Sequence, residues 1–286
     1  SHRDHFAVAF NQHELEGRLL AMLDKRSEDE FLKSAYDLKD NRDWQLSKAR
    51  ALIQQLSDWK EYITTCLYRP FDERICYFDE IAMDYPRRIL KDNCYKKDNL
   101  NLLVSRQQSW PGFHHVFVSD KVAESCVISD KSKEGNYVFP LYVYNDENQQ
   151  GLFHGENHKN QNIDWDTLPE WMATIQPFTS PATNNFIQAP EAIFYYIYTI
   201  LYSNLYRQKY QEFLKSDFPR IPFTSHYKTF QHLSVLGEQL VELHLLKAKL
   251  LDNSQSRFEG RGDDKVEKRD YHANDNRLYI NNGQYF

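Results

Sequence analysis

Two groups of residues in this sequence have types and spacings that suggest chemistry. The first is His154-Gly155-Glu156-Asn157-His158, with its two histidines four positions apart. On a helix that interval puts both imidazoles on one face, the arrangement a metal hydrolase uses. Glycine and asparagine inside the segment disfavour that helix. The second group consists of cations and amides. Arg87, Arg88, Lys91, Lys96 and Lys97 lie between Asp84 and Asp98 with few acids among them, which suits either phosphate neutralisation or a solvated helix face. Arg106, Gln107 and Gln108 follow a strand-like run from Asn99 to Val104. Arginine and glutamine are the side chains that read guanine and adenine edges bidentately. Arg69 and Arg74 flank Asp72, either as a structural ion pair or as contacts to a DNA phosphate. Lys121, between two strand-like runs, completes the candidate DNA-binding set.

These residues need a scaffold, and the apolar pattern supplies one. Leu15, Leu19, Leu20 and Leu23 form a helical face capped by Asn11. Ser27 and Glu30 make a capping box ahead of a second helix, and Trp44 to Leu56 a third, opened by Asn41 or Asp43. Residues 1–64 therefore read as a strand-free helical connector, with helix continuing to about Thr65. Strands are expected at Ile75–Phe78, Asn99–Val104, His115–Ser119, Ala123–Ser129 and Tyr137–Tyr144, where Pro140 marks an edge or a bulge. Asn145 to Asn162 reads as a loop and Asp164 to Ile175 as a short helix.

Pro190 opens the most apolar helix, with Phe194, Ile197, Leu201 and Leu205 on one face and Tyr195, Tyr198, Tyr202, Tyr206 and Tyr210 beside it. A narrow polar strip runs around Thr199 and Ser203. The tyrosines suit a core stripe with satisfied hydroxyls better than a base-stacking platform. Pro219-Arg220-Ile221-Pro222 forces an extended return before a last long helix, from near Ser225 to near Leu251. Two short strands, Val266–Tyr271 and Leu278–Asn281, close an α+β chain.

Composition narrows the function. A net charge of −6 gives no global attraction to nucleic acid, so any such binding must use a local basic face. The four cysteines have no CxxC spacing and read as reduced, packed thiols of an intracellular protein. Neither a signal peptide nor an apolar run of membrane-spanning length is present. The methyltransferase signatures FxGxG and NPPY, the phosphate loop GxxxxGK[ST] and the GxSxG elbow are all missing. Starting at Ser1 and stopping at Phe286, the chain reads as a piece of a longer polypeptide.

The resemblance that unites these features is carried by YRPFDER (Tyr68–Arg74), FVSD (Phe117–Asp120) and FPLYVY (Phe139–Tyr144). PEAIFYYIY (Pro190–Tyr198), its exit FLKSDFPRIPF (Phe213–Phe223) and LGEQLVELHLL (Leu236–Leu246) extend it over nearly the whole chain. The sequence resembles the C-terminal specificity domain of the type ISP single-polypeptide restriction-modification enzymes. The resemblance implies a helical connector over residues 1–64 and a mixed or antiparallel-sheet target recognition domain with long packed helices over 65–286. It also implies a prokaryotic, cytoplasmic protein that reads double-stranded DNA for an adenine methyltransferase domain upstream on the same polypeptide. S-adenosylmethionine, ATP and Mg would serve those upstream domains, and no cofactor is expected in this chain. The rivals are the metal hydrolase using His154 and His158 and a protein-interaction scaffold with an exposed tyrosine stripe.

Overall fold

Asn11 starts the first long helix as its position predicts. Its side-chain oxygen accepts the Glu14 N–H at 2.9 Å, satisfying one of the donors a helix N-terminus leaves free. A computed structural model describes residues 3–83, 87–109, 112–131, 134–144, 159–253 and 256–286. After a single turn, α1 (Asp4–Ala7), and a two-residue strand, β1 (Val8–Ala9), come α2 (Gln12–Leu23), α3 (Asp29–Ala35) and α4 (Leu46–Gln55). Ser27 does not cap α3, whose N-cap is Glu28 with no side-chain bond. Before α4, Asp40 accepts the Leu46 N–H, while Asn41 closes the preceding loop onto the Asp43 and Trp44 amides.

The helical expectation for the first 65 residues fails in two places. Val8 and Ala9 pair antiparallel with Cys76 and Ile75, and Ile63–Arg69 is strand β2 rather than helix. Ile63, Thr64 and Thr65 are β-branched and stiff at χ1, and they fit a pleated surface better than a helix. β2 turns through Phe71, at φ 64°, into β3 (Asp72–Tyr77). That φ is unusual for a bulky residue, and the Phe71 ring is packed edge-on against Phe117 at 5.2 Å. α2, α3 and α4 share one core with the end of β3: Leu15, Leu19, Leu32, Leu46 and Ile53 meet Tyr77, Ile81 and Ala82.

Helix α5 (Arg88–Cys94) leads to β4 (Asn101–Ser105), β5 (Val116–Ser119) and β6 (Val122–Ala123). The strand expected through Ser129 stops at Ala123, because Glu124 turns back to accept the Cys126 N–H at 2.7 Å. β7 (Asn136–Pro140) and β8 (Tyr142–Tyr144) are one expected strand divided at Leu141. β7 is the outer strand of the sheet β5-β4-β7, the edge position that a proline accepts. β8 pairs with β9 (Lys159–Gln161), at the end of the segment read as a loop. The HGENH segment lies outside the described residues. Between Asp164 and Ile175 the expected helix is two 3-10 turns on either side of Pro169.

A short hairpin, β10 (Phe178–Thr179) and β11 (Phe186–Ile187), precedes α6 (Ala189–Tyr202). Ser203, at ψ 120°, breaks the expected long helix and caps α7 (Asn204–Lys209), with α8 (Gln211–Leu214) after it. Leu205 is consequently 75% exposed instead of buried. The last long helix, α9 (Tyr227–His244), ends two turns earlier than expected, with Leu246 at φ 57° beyond it. α6 and α9 cross at backbone contact: a Cβ on Gly237 would lie 1.9 Å from the Tyr195 carbonyl oxygen. The polar strip on α6 serves this crossing. The Thr199 hydroxyl donates to the Leu233 carbonyl at 2.7 Å, and the Ser234 hydroxyl lies 2.8 Å from the Ala192 carbonyl.

The tyrosine stripe belongs to the core. Hydroxyls of Tyr202 and Tyr206 donate to the Val116 and Arg220 carbonyls at 2.6 and 2.8 Å, and that of Tyr198 lies 2.6 Å from His244 Nδ1. Phe194, Tyr198, Leu201 and Val241 pack with Val104, Val116 and Val118, so the α6–α9 pair supports the sheet carrying β4 and β5. The chain forms two compact units, Ser1–Leu245 and Leu246–Phe286. The second is a four-stranded antiparallel sheet, β12 (Glu259–Gly260), β13 (Asp270–His272), β14 (Arg277–Tyr279) and β15 (Gln284–Tyr285), in the order β12-β15-β14-β13. No described helix is long and apolar enough to cross a membrane.

Candidate nucleic-acid interface

The eleven candidate contact residues fall in three places. The first is the corner where β2 turns into β3. β6 runs parallel to β2, pairing Val122 with Cys66 and Ala123 with Leu67, and so brings Lys121 and Glu124 to that corner. Arg69 donates to Glu124 at 2.8 Å, and Arg74 forks onto both oxygens of Asp72 at 2.8 to 3.1 Å. Lys121 lies 2.8 Å from both Glu73 and Asp120. Both guanidinium groups also lie over the Tyr68 ring, at 4.2 and 4.1 Å. Hydrogen bonding to Asp72 raises the Arg74 pKa further above its usual value, a sign that the pair is held as ions. Three cations here face four carboxylates, so the corner offers a phosphate little net positive potential.

The second place is the opposite end of the same hairpin, away by the length of β2, roughly 20 Å at about 3.3 Å per residue. Lys91 donates to Asp79 at 2.9 Å and lies over the Tyr62 ring. Lys96 donates to the Glu61 carbonyl at 2.5 Å, and Lys97 sits 4.9 Å from the centre of the Tyr144 ring. Arg88 is the first residue of α5. Arg87 is exposed at its N-cap, and its side chain has no partner among the described residues.

The third place is the loop after β4. Arg106 and Gln107 are exposed there, whereas Gln108, grouped with them in the sequence, is 7% exposed. Its amide nitrogen donates to the Gly112 carbonyl at 2.8 Å and its amide oxygen lies 2.5 Å from His115 Nδ1, so no edge remains to read a base. Arg106 donates to Asp217 at 3.1 Å, in the turn that directly follows α8.

Beneath this loop lies a network the sequence pattern does not signal. Glu134 is 3% exposed and accepts the Ser109 N–H at 2.6 Å, the Ser109 hydroxyl, and the Ser129 hydroxyl at 2.9 Å. His115 Nε2 lies 3.3 Å from the same carboxylate. Burial pushes the Glu134 carboxyl up, but the three serine hydrogen bonds outweigh it and hold the group below the usual carboxylate range. Burial draws the His115 imidazole below its ordinary value, with the Glu134 charge opposing. Glu134 lies on no periodic face, and its partners are 5 to 25 positions away in sequence. Among the described residues no group of three or more His, Cys, Asp or Glu side chains is placed to hold a metal ion.

The profile of the type ISP C-terminal specificity domain matches residues 1–286. In structure the chain is similar to the ATP-dependent type ISP restriction-modification enzyme LlaBIII bound to DNA. The identity is 17% and the TM-score 0.66, over 99% of this chain and 18% of that one. A nuclease-deletion mutant of the type ISP restriction-modification enzyme LlaGI in complex with a DNA substrate mimic is similar at 18% identity and a TM-score of 0.60, over 99% and 21%. The DrdV–DNA complex is similar at 20% identity and a TM-score of 0.60, over 99% and 27%. At these identities the likeness is one of fold, and the chain spans 18% to 27% of the length of those proteins. Curated protein sequences give no match.

Proposed function

Because the chain belongs to the type ISP C-terminal specificity domain family, we propose that it selects double-stranded DNA for a restriction-modification polypeptide and does no bond chemistry itself. A methyltransferase domain upstream on the same polypeptide supplies adenine N6 methylation with S-adenosylmethionine, and ATP and Mg serve restriction there. The setting is the cytoplasm of a prokaryote. Within this chain Arg106 and Gln107 reach base edges, while Arg87, Lys96 and Lys97 neutralise phosphates and fix register. Arg69, Arg74, Lys91 and Lys121 shape the surface and stay with their carboxylates.

The observation that supports this division is the loop after β4. It ends a central sheet strand, and its two outward side chains are the two types that read purines bidentately. The test is made in the full-length polypeptide. Arg106→Ala or Gln107→Ala should lower discrimination between the target duplex and a scrambled one by roughly 10- to 100-fold, the worth of one bidentate base contact. Binding to the scrambled duplex should fall steeply with added salt in every variant. Unchanged discrimination would remove these two residues from the interface. A parent polypeptide that modifies no nucleic acid would overturn the function.

A further inference from the structure

We propose that His115 and Glu134 are positioning residues for DNA reading, bracing the loop 105–109 so that Arg106 and Gln107 are presented before DNA arrives. The proposal rests on the reading that those two residues touch DNA, and it names what holds them. Each flank of the pair is tied down. On one side the Ser105 hydroxyl lies 2.8 Å from the Gln107 carbonyl and 2.9 Å from the Glu134 carbonyl, and the Ser105 N–H donates to the His115 carbonyl at 3.2 Å. On the other, the Gln108 side chain is held by Gly112 and His115, its N–H donates to the Lys215 carbonyl at 3.2 Å, and Ser109 is held by Glu134.

The proton bookkeeping joins the two flanks. The Gly112 carbonyl fixes the Gln108 amide with its nitrogen inward, so His115 Nδ1 faces an acceptor and must carry a hydrogen. Nε2 lies 3.3 Å from a Glu134 oxygen and donates to it only when the ring carries a second proton, the form that Glu134 favours and burial opposes. The chain Gln108–His115–Glu134–Ser109 runs under the two exposed residues. Burying a histidine and a carboxylate is costly unless both are hydrogen-bonded, and the partners that satisfy this pair lie mostly on the reading loop. A loop ordered in advance loses less freedom on binding, which favours the complex requiring its exact shape over loose phosphate contact.

The experiment uses the full-length polypeptide and a duplex that the unsubstituted protein selects from a randomised pool, with a scrambled duplex of equal length as the reference. Glu134→Gln and His115→Ala should each lower discrimination about tenfold, with affinity for the scrambled duplex and its salt slope unchanged. Adding Gln107→Ala to Glu134→Gln should cost less than the product of the two single losses, since the brace acts through the reader. If Glu134→Gln fails to fold, Ser129→Ala removes one donor from the carboxylate, and a two- to threefold loss of discrimination is expected. Equal loss on both duplexes, or independent losses in the double variant, would overturn the brace alone. If Arg106→Ala and Gln107→Ala leave discrimination intact, the reading of the loop falls and the brace falls with it.

Discussion

The hairpin corner and the loop after β4 carry similar side chains and use them in opposite ways. At the corner the cations turn inward to carboxylates, leaving the side chains of Arg74, Lys121 and Arg69 only 23%, 28% and 36% exposed. On the loop the polar groups that need partners lie beneath the backbone, and Arg106 stays 53% exposed above them. A cation is available to DNA according to how many carboxylates the fold brings beside it, and pairing across strands decides that number. Lys121 meets Glu73 only because β6 lies parallel to β2.

The largest effect should come from the support under the loop. Gly237→Ala places a methyl group where the Tyr195 carbonyl stands, so α6 and α9 must separate, at a cost of about 3 kcal/mol in urea denaturation. Amide exchange should quicken in β4 and β5, which rest on α6, and quicken less in β2 and β3, which meet β4 and β5 through Leu67 but whose core of Val8, Cys66, Cys76, Cys94 and Val122 contains no residue of that helix. Equal loss of protection would mean that corner and loop are one cooperative unit. A smaller effect is expected at the corner. Arg74→Ala loses its Asp72 pair and its packing over Phe10 and Tyr68, worth about 1 kcal/mol together at this partly exposed site. DNA discrimination should not change, and a fall in it would bring the corner into the interface.

How much of this contrast was readable beforehand depends on the range of the interactions. The Asn11 cap, the β4 and β5 strands, the Pro140 edge and the buried tyrosines follow from local pattern, and the structure has them. The break at Ser203 was not legible, because the apolar period runs on into Leu205 and only a serine hydroxyl turns the chain. Ile63–Thr65 continues the helical pattern before it although its β-branched residues favour a strand, and pairing with β3, which no local pattern shows, decides for the strand. At the site, residue type pointed to Arg106 and Gln107 but equally to Gln108, whose neighbour His115 is seven residues on. Glu134 carries no local signal, since its role exists only once Ser109, 25 residues before it, and Ser129 converge on it.

Asp217→Asn tests the loop with a smaller change. The Phe218 N–H and Arg106 hold this carboxyl below the usual range. The contribution is therefore present above the unfolded value of about 3.9 and is lost as pH falls through the folded one. From pH 5 upward the pair with Arg106 stays closed. Asparagine removes the charge, so low-salt affinity for any duplex should rise about threefold, with a salt slope steeper by at most one, and at neutral pH the denaturation midpoint should fall only slightly, since the pair is exposed. A loss of affinity would mean that Asp217 positions Arg106 for DNA rather than competing with it.

The smallest effect expected is the absence of one, at the thiols beneath the corner. Burial pushes the Cys94 thiol up to about 12 and raises Cys76 too, through its contact with Cys66 and through burial. A raised folded value means the contribution to stability is complete below the ordinary thiol pKa of about 8.5 and is lost as pH climbs towards about 12. At pH 9 the Cys94 thiol stays protonated and burial shields Cys66 and Cys76 as well, so a thiol reagent should modify half-buried Cys126 and leave the buried three unmodified. Mass spectrometry of the labelled protein distinguishes the four sites. Labelling of Cys66 or Cys76 at the rate of Cys126 would mean that the corner opens readily, and its ion pairs would then be as free to meet DNA as the side chains on the loop.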